Sequence, residues 1–332
     1  MSASSALAAC DPTLTVCSSG CDYDVLNDAV TDLETNCATP TEPLTIEITG
    51  EWTSADTTAV TISGISTTAT NDLTIFTSGD ARHDGVWSDI AYRLISSISS
   101  SGSGIITYSN GYVTIDGLQV QNTDTTGTFS AVTNSGANLS GLPVTIKNSI
   151  IRGARRSIKT DGVHNLYFIN NIVYGNGKSG IFWGQTGTAY VYSNTIIGVD
   201  DAVNRQAGTL IATNNYASAT TAFTGTITQT TNASSDSTAV GTGLDNIAYS
   251  TDNFTNVTGG SEDLNLVLGS ALIGVGTDTS GGSDPLDFTT DITGTTRTDP
   301  WDIGAFKYDA VVPPSGSNYQ LGGGTWGGLS TH

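Results

Sequence analysis

The sequence predicts an all-β protein, a single-stranded parallel β-helix (solenoid) with a short N-terminal capping helix and an extended C-terminal tail. Three segments between residues 144 and 198 read VTIKNSIIRG, LYFINNIVYG and YVYSNTIIG. Each is a short alternating strand rich in Val, Ile, Tyr, Phe and Thr, followed by an asparagine, an apolar pair and a glycine, which is strand chemistry. The asparagines that mark the series recur at intervals of 22, 24 and 20 residues: Asn148, Asn170, Asn194 and Asn214. A period of about 22 residues indicates a solenoid.

A second register of apolar residues runs beside the first. Its members, at intervals of 23, 22 and 20 residues, are Ile158, Ile181, Val203 and Phe223. A coil of about 22 residues holds three short strands, and stacked coils place equivalent strands about 4.8 Å apart. A β-sandwich with chance asparagine spacing is the alternative, but it does not explain two registers with one period.

Stacking on the asparagines predicts which residues share a row. One row is expected to hold Val144, Leu166, Tyr190 and Leu210, and the next Ile146, Phe168, Tyr192 and Ala212. Asparagine tolerates the left-handed conformation of a tight bend, and stacked asparagines can hydrogen-bond along the axis. Thr-x-Thr pairs do not recur at this spacing, so a flat threonine array is not expected.

Composition limits the range of partners. The chain has 332 residues with 11 Lys and Arg against 31 Asp and Glu, a net charge of −20. Such a chain repels phosphate backbones, so a nucleic-acid partner is not expected. No apolar stretch is long enough to span a membrane. The first residues lack the basic region of a secretory signal. An extracellular location then implies either release by cell lysis, as for virion proteins, or a signal that has been trimmed.

Residues 1–43 are predicted to form a cysteine-containing cap with a helix. Apolar residues recur at helical spacing between Asp22 and Asn36, with Asp24 as the expected N-cap. The open end of a solenoid exposes an apolar cross-section and an unpaired edge, which this helix would cover. A recognition helix is the alternative.

The four cysteines lie within this cap. Of the three pairings allowed for Cys10, Cys17, Cys21 and Cys37, the position of the helix favours 21–37 with 10–17. A zinc site of four thiolates is the alternative, although the chain has no CxxC knuckle. Disulfides would indicate an oxidising medium.

Residues 44–310 are predicted to form the β-helix. Ser78–Leu94, a long connection between early coils, is the densest mixture of charged and aromatic residues. We expect a structural role, in which Trp87 packs inward and an arginine pairs with Asp84 or Asp89; the alternative is a carbohydrate-binding or catalytic loop. Residues 217–250, rich in Ser, Thr and Gly, are either the loosest coils or a surface excursion.

Residues 311–332 are predicted to form a C-terminal arm rich in glycine and proline. The segment VVPPSGSNYQLGGGTWGGLSTH cannot form a core alone. Its aromatic residues, Tyr319 and Trp326, are the expected contacts with a neighbouring subunit.

Three stretches carry a resemblance to a known group. CDYDVLNDAV resembles a GDYTSL-type opening helix, TSGDARHDGVWSDIAYRL resembles an ERHDGKW…YRL segment, and DITGTTRTDPWDIGAFKY resembles a closing D-x-x-G-x-x-R…D-I-G-A-x-E-Y motif. The closing motif falls on Asp291, Gly294, Arg297, Asp302, Ile303, Gly304, Ala305 and Tyr308, with Lys307 in place of the usual acid. The group comprises pectate-lyase-like β-helix proteins of phages and environmental bacteria, often phage structural or surface proteins. The resemblance implies a right-handed parallel β-helix and no particular reaction.

The strongest functional signal is a run of basic residues. Six of the 11 basic residues lie within 32 positions: Lys147, Arg152, Arg155, Arg156, Lys159 and Lys178. With Trp183, the arginines and lysines from Arg152 onward are candidates for binding an anionic polysaccharide or an acidic subunit; the alternative is a solvated face. Candidate catalytic residues for a lyase or hydrolase are Arg156, Asp161 and His164, and a lyase would add Ca²⁺. No metal site or other cofactor is expected from residue spacing.

These observations favour a non-enzymatic structural or decoration protein of a phage virion or similar extracellular assembly. Its partners would be other subunits of that assembly, including copies of itself. The alternative is a polysaccharide-binding adhesin, or a lyase or hydrolase that depolymerises an acidic surface glycan. The expected location is the virion or the extracellular medium.

Overall fold

The computed structural model describes residues 9–98, 103–124, 130–135, 139, 141–153, 155–160, 162, 164–175 and 177–309. One helix, α1, spans Leu26–Asn36, and a short 3-10 turn spans Gly79–Ala81. The first strands are β1 (Thr13–Val16), β2 (Leu44–Ile48), β3 (Val60–Ile62), β4 (Leu73–Thr77), β5 (Arg93–Ser96), β6 (Gly104–Tyr108), β7 (Val113–Asp116), β8 (Gln119–Asn122), β9 (Ser130–Asn134), β10 (Pro143–Lys147), β11 (Ile150–Gly153) and β12 (Arg156–Thr160). The later strands are β13 (Asn165–Ile169), β14 (Ile172–Tyr174), β15 (Ser179–Trp183), β16 (Thr188–Tyr192), β17 (Thr195–Arg205), β18 (Thr209–Thr213), β19 (Tyr216–Thr224), β20 (Thr228–Thr230), β21 (Ala233–Ser234), β22 (Phe254–Asn256) and β23 (Asp263–Leu266).

The strands stack into three parallel faces of one coil, which confirms the predicted parallel β-helix. Face A is the nine-stranded sheet β1-β2-β4-β7-β10-β13-β16-β18-β20. Face B runs β5-β8-β11-β14 and face C runs β3-β6-β9-β12-β15; both continue through β17 and β19, which turn the corner between them. No helix in the described part of the chain is long and apolar enough to cross a membrane.

The core lies inside the coil and is built from rows of stacked apolar residues. On face C the predicted second register is confirmed, because Ile158, Ile181, Val203 and Phe223 are Cα partners in successive rungs. On face A the predicted rows were wrong at one rung: Ala189 and Val191 occupy the inward positions, and Tyr190 and Tyr192 point outward. The coil between β13 and β16 is one residue longer, so alignment on Asn194 shifted the register.

Two adjacent rows of residues mark the bend between faces A and B. The sequence-based prediction treated them as a single row. The bend residues with left-handed backbone are Gly117, Asn148, Asn170, Ser193, Asn214 and Thr231. Asn194 instead belongs to the next row, a buried ladder of Asn171, Asn194, Asn215 and Asn232. In the first three of these residues the amide and the backbone N–H both donate to the Oδ1 of the asparagine one rung on, at 2.7–3.1 Å. Each amide also donates to a carbonyl of face A, as Asn194 does to Phe168 at 2.8 Å. The predicted asparagine stacking is therefore present. Asn170 donates to Asn148 Oδ1 at 3.4 Å within the bend row, as expected, and the longer ladder lies one residue further on.

The predicted capping helix is present at the N-terminal end. It buries Leu26, Ala29, Val30 and Leu33 against β1, β2 and β3. The expected N-cap, Asp24, was wrong: Val25 holds the N-cap position without a side-chain bond. The Leu26 N–H donates instead to the buried carboxylate of Asp56 at 3.0 Å, a partner thirty residues away that local pattern cannot reveal.

The disulfides are present, but the favoured pairing was wrong. Cys10 pairs with Cys37, and Cys17 pairs with Cys21. The helix returns the chain antiparallel to β1, so its C-terminal end lies beside the residues before β1. The other two cysteines close the short turn that follows β1. All four thiols are therefore used in disulfides and not in a metal site.

The last 65 described residues do not form coils, in contrast to the prediction for residues 44–310. The coils end near β21, and residues 245–309 lie against the outer side of face B. That outer side is apolar and forms a second core beneath this segment: Ile150, Ile172, Ile197 and Tyr216 of the coil pack with Phe254, Leu272, Ile292, Ile303 and Phe306. A β-helix face is normally solvated outside; this one is covered because its outward residues are apolar. Residues 217–234 are coil strands, so the loose region is confined to 235–250.

Residues 277–306, which we call the strap, run along the bend row. The Asn214 amide donates to the Thr277 carbonyl at 2.7 Å, and the Asn170 amide donates to the Thr290 carbonyl at 2.8 Å. The buried Arg297 guanidinium donates to Asn170 Oδ1 at 3.0 Å and to the carbonyls of Gly304 and Ala305. The closing motif thus holds the strap against the coils through Arg297 and Asn170. The arm at 311–332, with Tyr319 and Trp326, lies outside the described residues.

Candidate functional site

The basic residues that adjoin in sequence do not form one patch. Lys147 ends a strand of face A, Arg152 lies on face B, and Arg156 and Lys159 lie on face C, with Arg155 and Lys178 in the adjoining turns. The chain bends between the successive strands of a coil, so the outward residues of one repeat lie on three different faces. Only Arg155, Arg156, Lys159 and Lys178 remain together. The Arg156 guanidinium lies over the Phe182 ring at 4.0 Å, which fixes it on this face.

Two of the predicted site residues lie inside the coil. His164 and Trp183 are fully buried, and the His164 ring lies edge-on between Tyr108 at 5.6 Å and Trp183 at 5.3 Å, measured between ring centroids. The Gly162 carbonyl accepts from Nδ1 of His164 at 3.0 Å, so Nε2 accepts from the Tyr108 hydroxyl at 2.8 Å. Burial lowers the pKa of His164 to about 4. They are core residues and do not reach a surface ligand. Asp161 lies outside the described residues.

The charged loop before β5 makes one of the two kinds of ion pair predicted for it. The Arg93 side chain pairs with Asp89 at 3.7 Å, while Arg82 pairs with Asp116 of the next coil at 2.8 Å. Burial alone would raise the pKa of Asp116, but Arg82, Lys147 and an Asn148 amide together hold it below its usual value. His83 is buried too, and its pKa falls to about 3. These charges neutralise one another within the fold.

Face A carries a continuous row of outward side chains along the whole coil. The row runs Thr13, Thr45, Thr74, Thr114, Thr145, Tyr167, Tyr190, Ile211 and Thr228. Nine rungs at about 4.8 Å make a track roughly 38 Å long. Single threonines recur at coil spacing, but Thr-x-Thr pairs do not, so the flat threonine array that was not expected is indeed absent from these rungs. They form a single row, because the parallel outward row holds Glu47, Phe76, Asp116 and Lys147.

Two tyrosines make a flat aromatic surface in the middle of this row. The rings of Tyr167 and Tyr190 are stacked, with centroids 4.8 Å apart and planes 4° from parallel. Tyr192 approaches Tyr190 edge-on at 6.3 Å. All three are half-buried, so each leaves part of its ring open to solvent. The Tyr167 pKa is raised by burial, then by Tyr190 and Asp284. Parallel neighbouring strands produce this ladder wherever aromatic residues occupy the same outward position.

A cleft of about 280 Å³ lies next to this aromatic surface. Its floor is the row itself at Thr114, Thr145 and Tyr167. Its other lining residues are Ala69, Asp72, Tyr112, Val113, Pro143, Asp284 and Pro285. The last two belong to the strap, which therefore contributes to the cleft as well as fastening the coils. The cleft combines an aromatic ring, hydroxyl groups and two carboxylates, the small set of polar groups on an apolar surface that is typical of ligand sites.

No set of three or more His, Cys, Asp or Glu side chains suited to a metal ion occurs among the described residues. The candidate site is therefore defined by aromatic, hydroxyl and carboxylate groups. Sequence reasoning missed it because its parts come from residues as far apart as Asp72 and Asp284. The signal available was the repeat itself, because alignment on Gly117, Asn148 and Asn170 already places Thr114, Thr145 and Tyr167 on one row.

Comparison with known proteins finds similarity of architecture. No family model matches the chain, and no curated protein matches it. Among solved structures, pectin methylesterase from Aspergillus niger in penultimately deglycosylated form is 14% identical, with a TM-score of 0.40 over 68% of this chain and 84% of that one. The deglycosylated form is 14% identical, with a TM-score of 0.42 over 79% and 95%. Pectate lyase Pel9A is 12% identical, with a TM-score of 0.34 over 91% and 98%. The likeness concerns the fold alone.

Proposed function

We propose that this protein binds a neutral extracellular polysaccharide along face A without cleaving it. The observation that carries the proposal is the stacked pair Tyr167 and Tyr190 beside the cleft. A sugar ring has apolar C–H faces that pack on an aromatic ring, while its hydroxyl groups hydrogen-bond at the edge. Tyrosine suits such amphipathic contacts because it combines an apolar ring with a polar tip. The threonine row extends the same track for further sugar units.

Charge favours a neutral polymer. The carboxylates of Asp72 and Asp284 line the cleft, and the chain carries −20 overall. Both features repel a polyanion, whereas carboxylates accept hydrogen bonds from sugar hydroxyl groups. An acidic glycan would instead need the basic residues of face C, on a different side of the coil. The two disulfides support exposure to an oxidising medium, in keeping with an extracellular ligand.

The test measures binding of neutral polysaccharides (β-glucan, mannan, xylan) and acidic ones (alginate, polygalacturonate) by affinity electrophoresis and calorimetry. We expect saturable binding of at least one neutral polymer, weakened about tenfold or more by Tyr190→Ala, since central aromatic contacts dominate binding energy. Tyr190→Phe retains the ring and should bind nearly normally. Phe182→Ala, which removes an outward ring from face C, is the matched control.

Other outcomes would contradict the proposal. Binding confined to the acidic polymers and lost in Phe182→Ala would place the site on face C. New reducing ends or unsaturated uronates in the same samples would make the protein an enzyme. If no polymer binds and the protein is found attached to virus particles, the polysaccharide-binding proposal is wrong and a structural role in the virion is favoured.

A further inference from the structure

A second groove, of about 480 Å³, lies at the edge of face B, away from the cleft of face A. Strands β8, β11 and β14 form its floor, and the turn before β23 forms its rim. Two groups of opposite charge line it, Arg152 from the floor and Glu262 from the rim. The groove does not depend on the proposed polysaccharide site, because the two share no lining residue.

The Arg152 side chain is held in position by three neighbours. Its guanidinium carbon lies 3.5 Å from the centroid of the Trp87 ring, and its Nε donates to Gln121 Oε1 at 3.0 Å. The buried Tyr174 hydroxyl is also hydrogen-bonded to it. A guanidinium fixed in this way loses little entropy on binding. Its planar N–H groups match the two oxygens of a carboxylate.

Glu262 is fixed on the opposite side. The Gly260 N–H donates to its Oε2 at 3.0 Å, so the carboxylate is oriented by its own turn. Burial raises the pKa of Tyr174 to about 12, with Arg152 opposing the rise and Glu262 adding to it. Among the described ion pairs none joins Arg152 to Glu262. A gap therefore separates two opposite, half-buried charges.

We propose that this groove binds a short peptide with free ends, its carboxylate on Arg152 and its ammonium group on Glu262. A simple anion would meet repulsion from Glu262 and from the acidic chain as a whole. A simple cation would meet repulsion from Arg152. A ligand with both charges complements both groups, and a dipeptide spans more than ion-pair distance between them. Gln121 and Asn122 also line the groove.

The test uses the full chain and three matched probes in calorimetric titrations: alanyl-alanine, N-acetyl-alanyl-alanine and alanyl-alanine amide. We expect alanyl-alanine to bind, and each capped form to bind about tenfold or more weakly, because each loses one charge-assisted contact. Arg152→Gln should abolish the preference for the free carboxylate. Glu262→Gln should abolish the preference for the free amine while leaving Arg152 and its supports intact. Lys159→Gln, on face C, is the control and should not change binding.

Three results would overturn this proposal. The first is equal binding of all three probes, which would show that neither charge is recognised. The second is unchanged selectivity in Glu262→Gln, a rim substitution that leaves the core untouched. The third is the absence of saturable binding of any probe to a sample whose circular dichroism shows folded β structure. None of these results bears on polysaccharide binding by Tyr190, so the two proposals fail separately.

Discussion

Replacing Asn194 with alanine should destabilise the protein by about 3 kcal/mol. The Asn194 Oδ1 accepts from the Asn171 backbone N–H at 2.7 Å, and its amide donates to the Phe168 carbonyl at 2.8 Å. Both partners are fully buried, so the substitution leaves one donor and one acceptor unpaired. Each such group costs about 1–3 kcal/mol. The amide of Asn171 keeps its bond to Ile146 but loses its 3.1 Å bond to Asn194 Oδ1, and the Oδ1 of Asn215 keeps the Asn194 backbone N–H.

Equilibrium unfolding in guanidinium chloride, followed by circular dichroism and tryptophan fluorescence, measures this loss. Asn36→Ala is the matched control, because Asn36 lies at the end of α1 and bonds only the nearby Asp32 side chain. It should cost about 0.5 kcal/mol or less. Asn194→Asp keeps the acceptor but removes both amide donors and adds a buried charge, so it should cost at least as much as alanine. A difference below about 1 kcal/mol between Asn194→Ala and Asn36→Ala would refute the view that the ladder supports the coil.

Two further stability predictions follow from buried charge. Arg297→Lys should lower the free energy of unfolding by about 2–4 kcal/mol, because a lysine has one nitrogen and cannot replace the bonds of three, from Nε to Thr290, Nη1 to Asp302 and Nη2 to Asn170. A loss no larger than that of the partly exposed control Lys307→Ala would contradict this prediction. Stability should also fall as pH drops from about 6.5 to about 4. The folded protein disfavours the His164 proton, so the unfolded chain binds more protons in that window, and a gap of about 2.5 units is worth about 3 kcal/mol. Unfolding midpoints measured from pH 7 to pH 4 should fall less steeply in His164→Gln, and parallel curves would show that His164 is not responsible.

The fold could be predicted because its two strongest signals are local and repeated. The row of Ile158, Ile181 and Val203 can be predicted from the repeat period alone. The ladder residue Asn194 was misread as a bend residue because both rows contain asparagine and Ser193 holds the bend in that rung. One inserted residue in a strand reverses which side chains point inward. The correct register needs the inward position of Ala189, which is too small to stand out.

Long-range contacts were beyond sequence reasoning. The N-cap role of Asp56, the seating of Arg297 on Asn170 and the covering of face B all join residues thirty to more than a hundred positions apart. The candidate site has the same property, because Asp284 reaches the cleft only through the strap. The prediction that the basic residues form one patch was wrong for a related reason. Residues that are neighbours in sequence lie on different faces, because the coil bends between them. The sequence pattern within one repeat predicts the strands of that coil. It does not predict which distant segments pack across several coils.

The strap has a consequence for how the molecule is made. An ordinary solenoid can add rungs one at a time from its first synthesised end, because each rung needs only its neighbour. Here the apolar outer row at Ile150 and Ile172 is covered largely by residues that follow the last rung, from Phe254 to Phe306. Contacts of such separation form slowly. We therefore expect a folding intermediate in which the apolar outer side of face B is exposed. A chain truncated before residue 277 should aggregate, even though all its coils are complete.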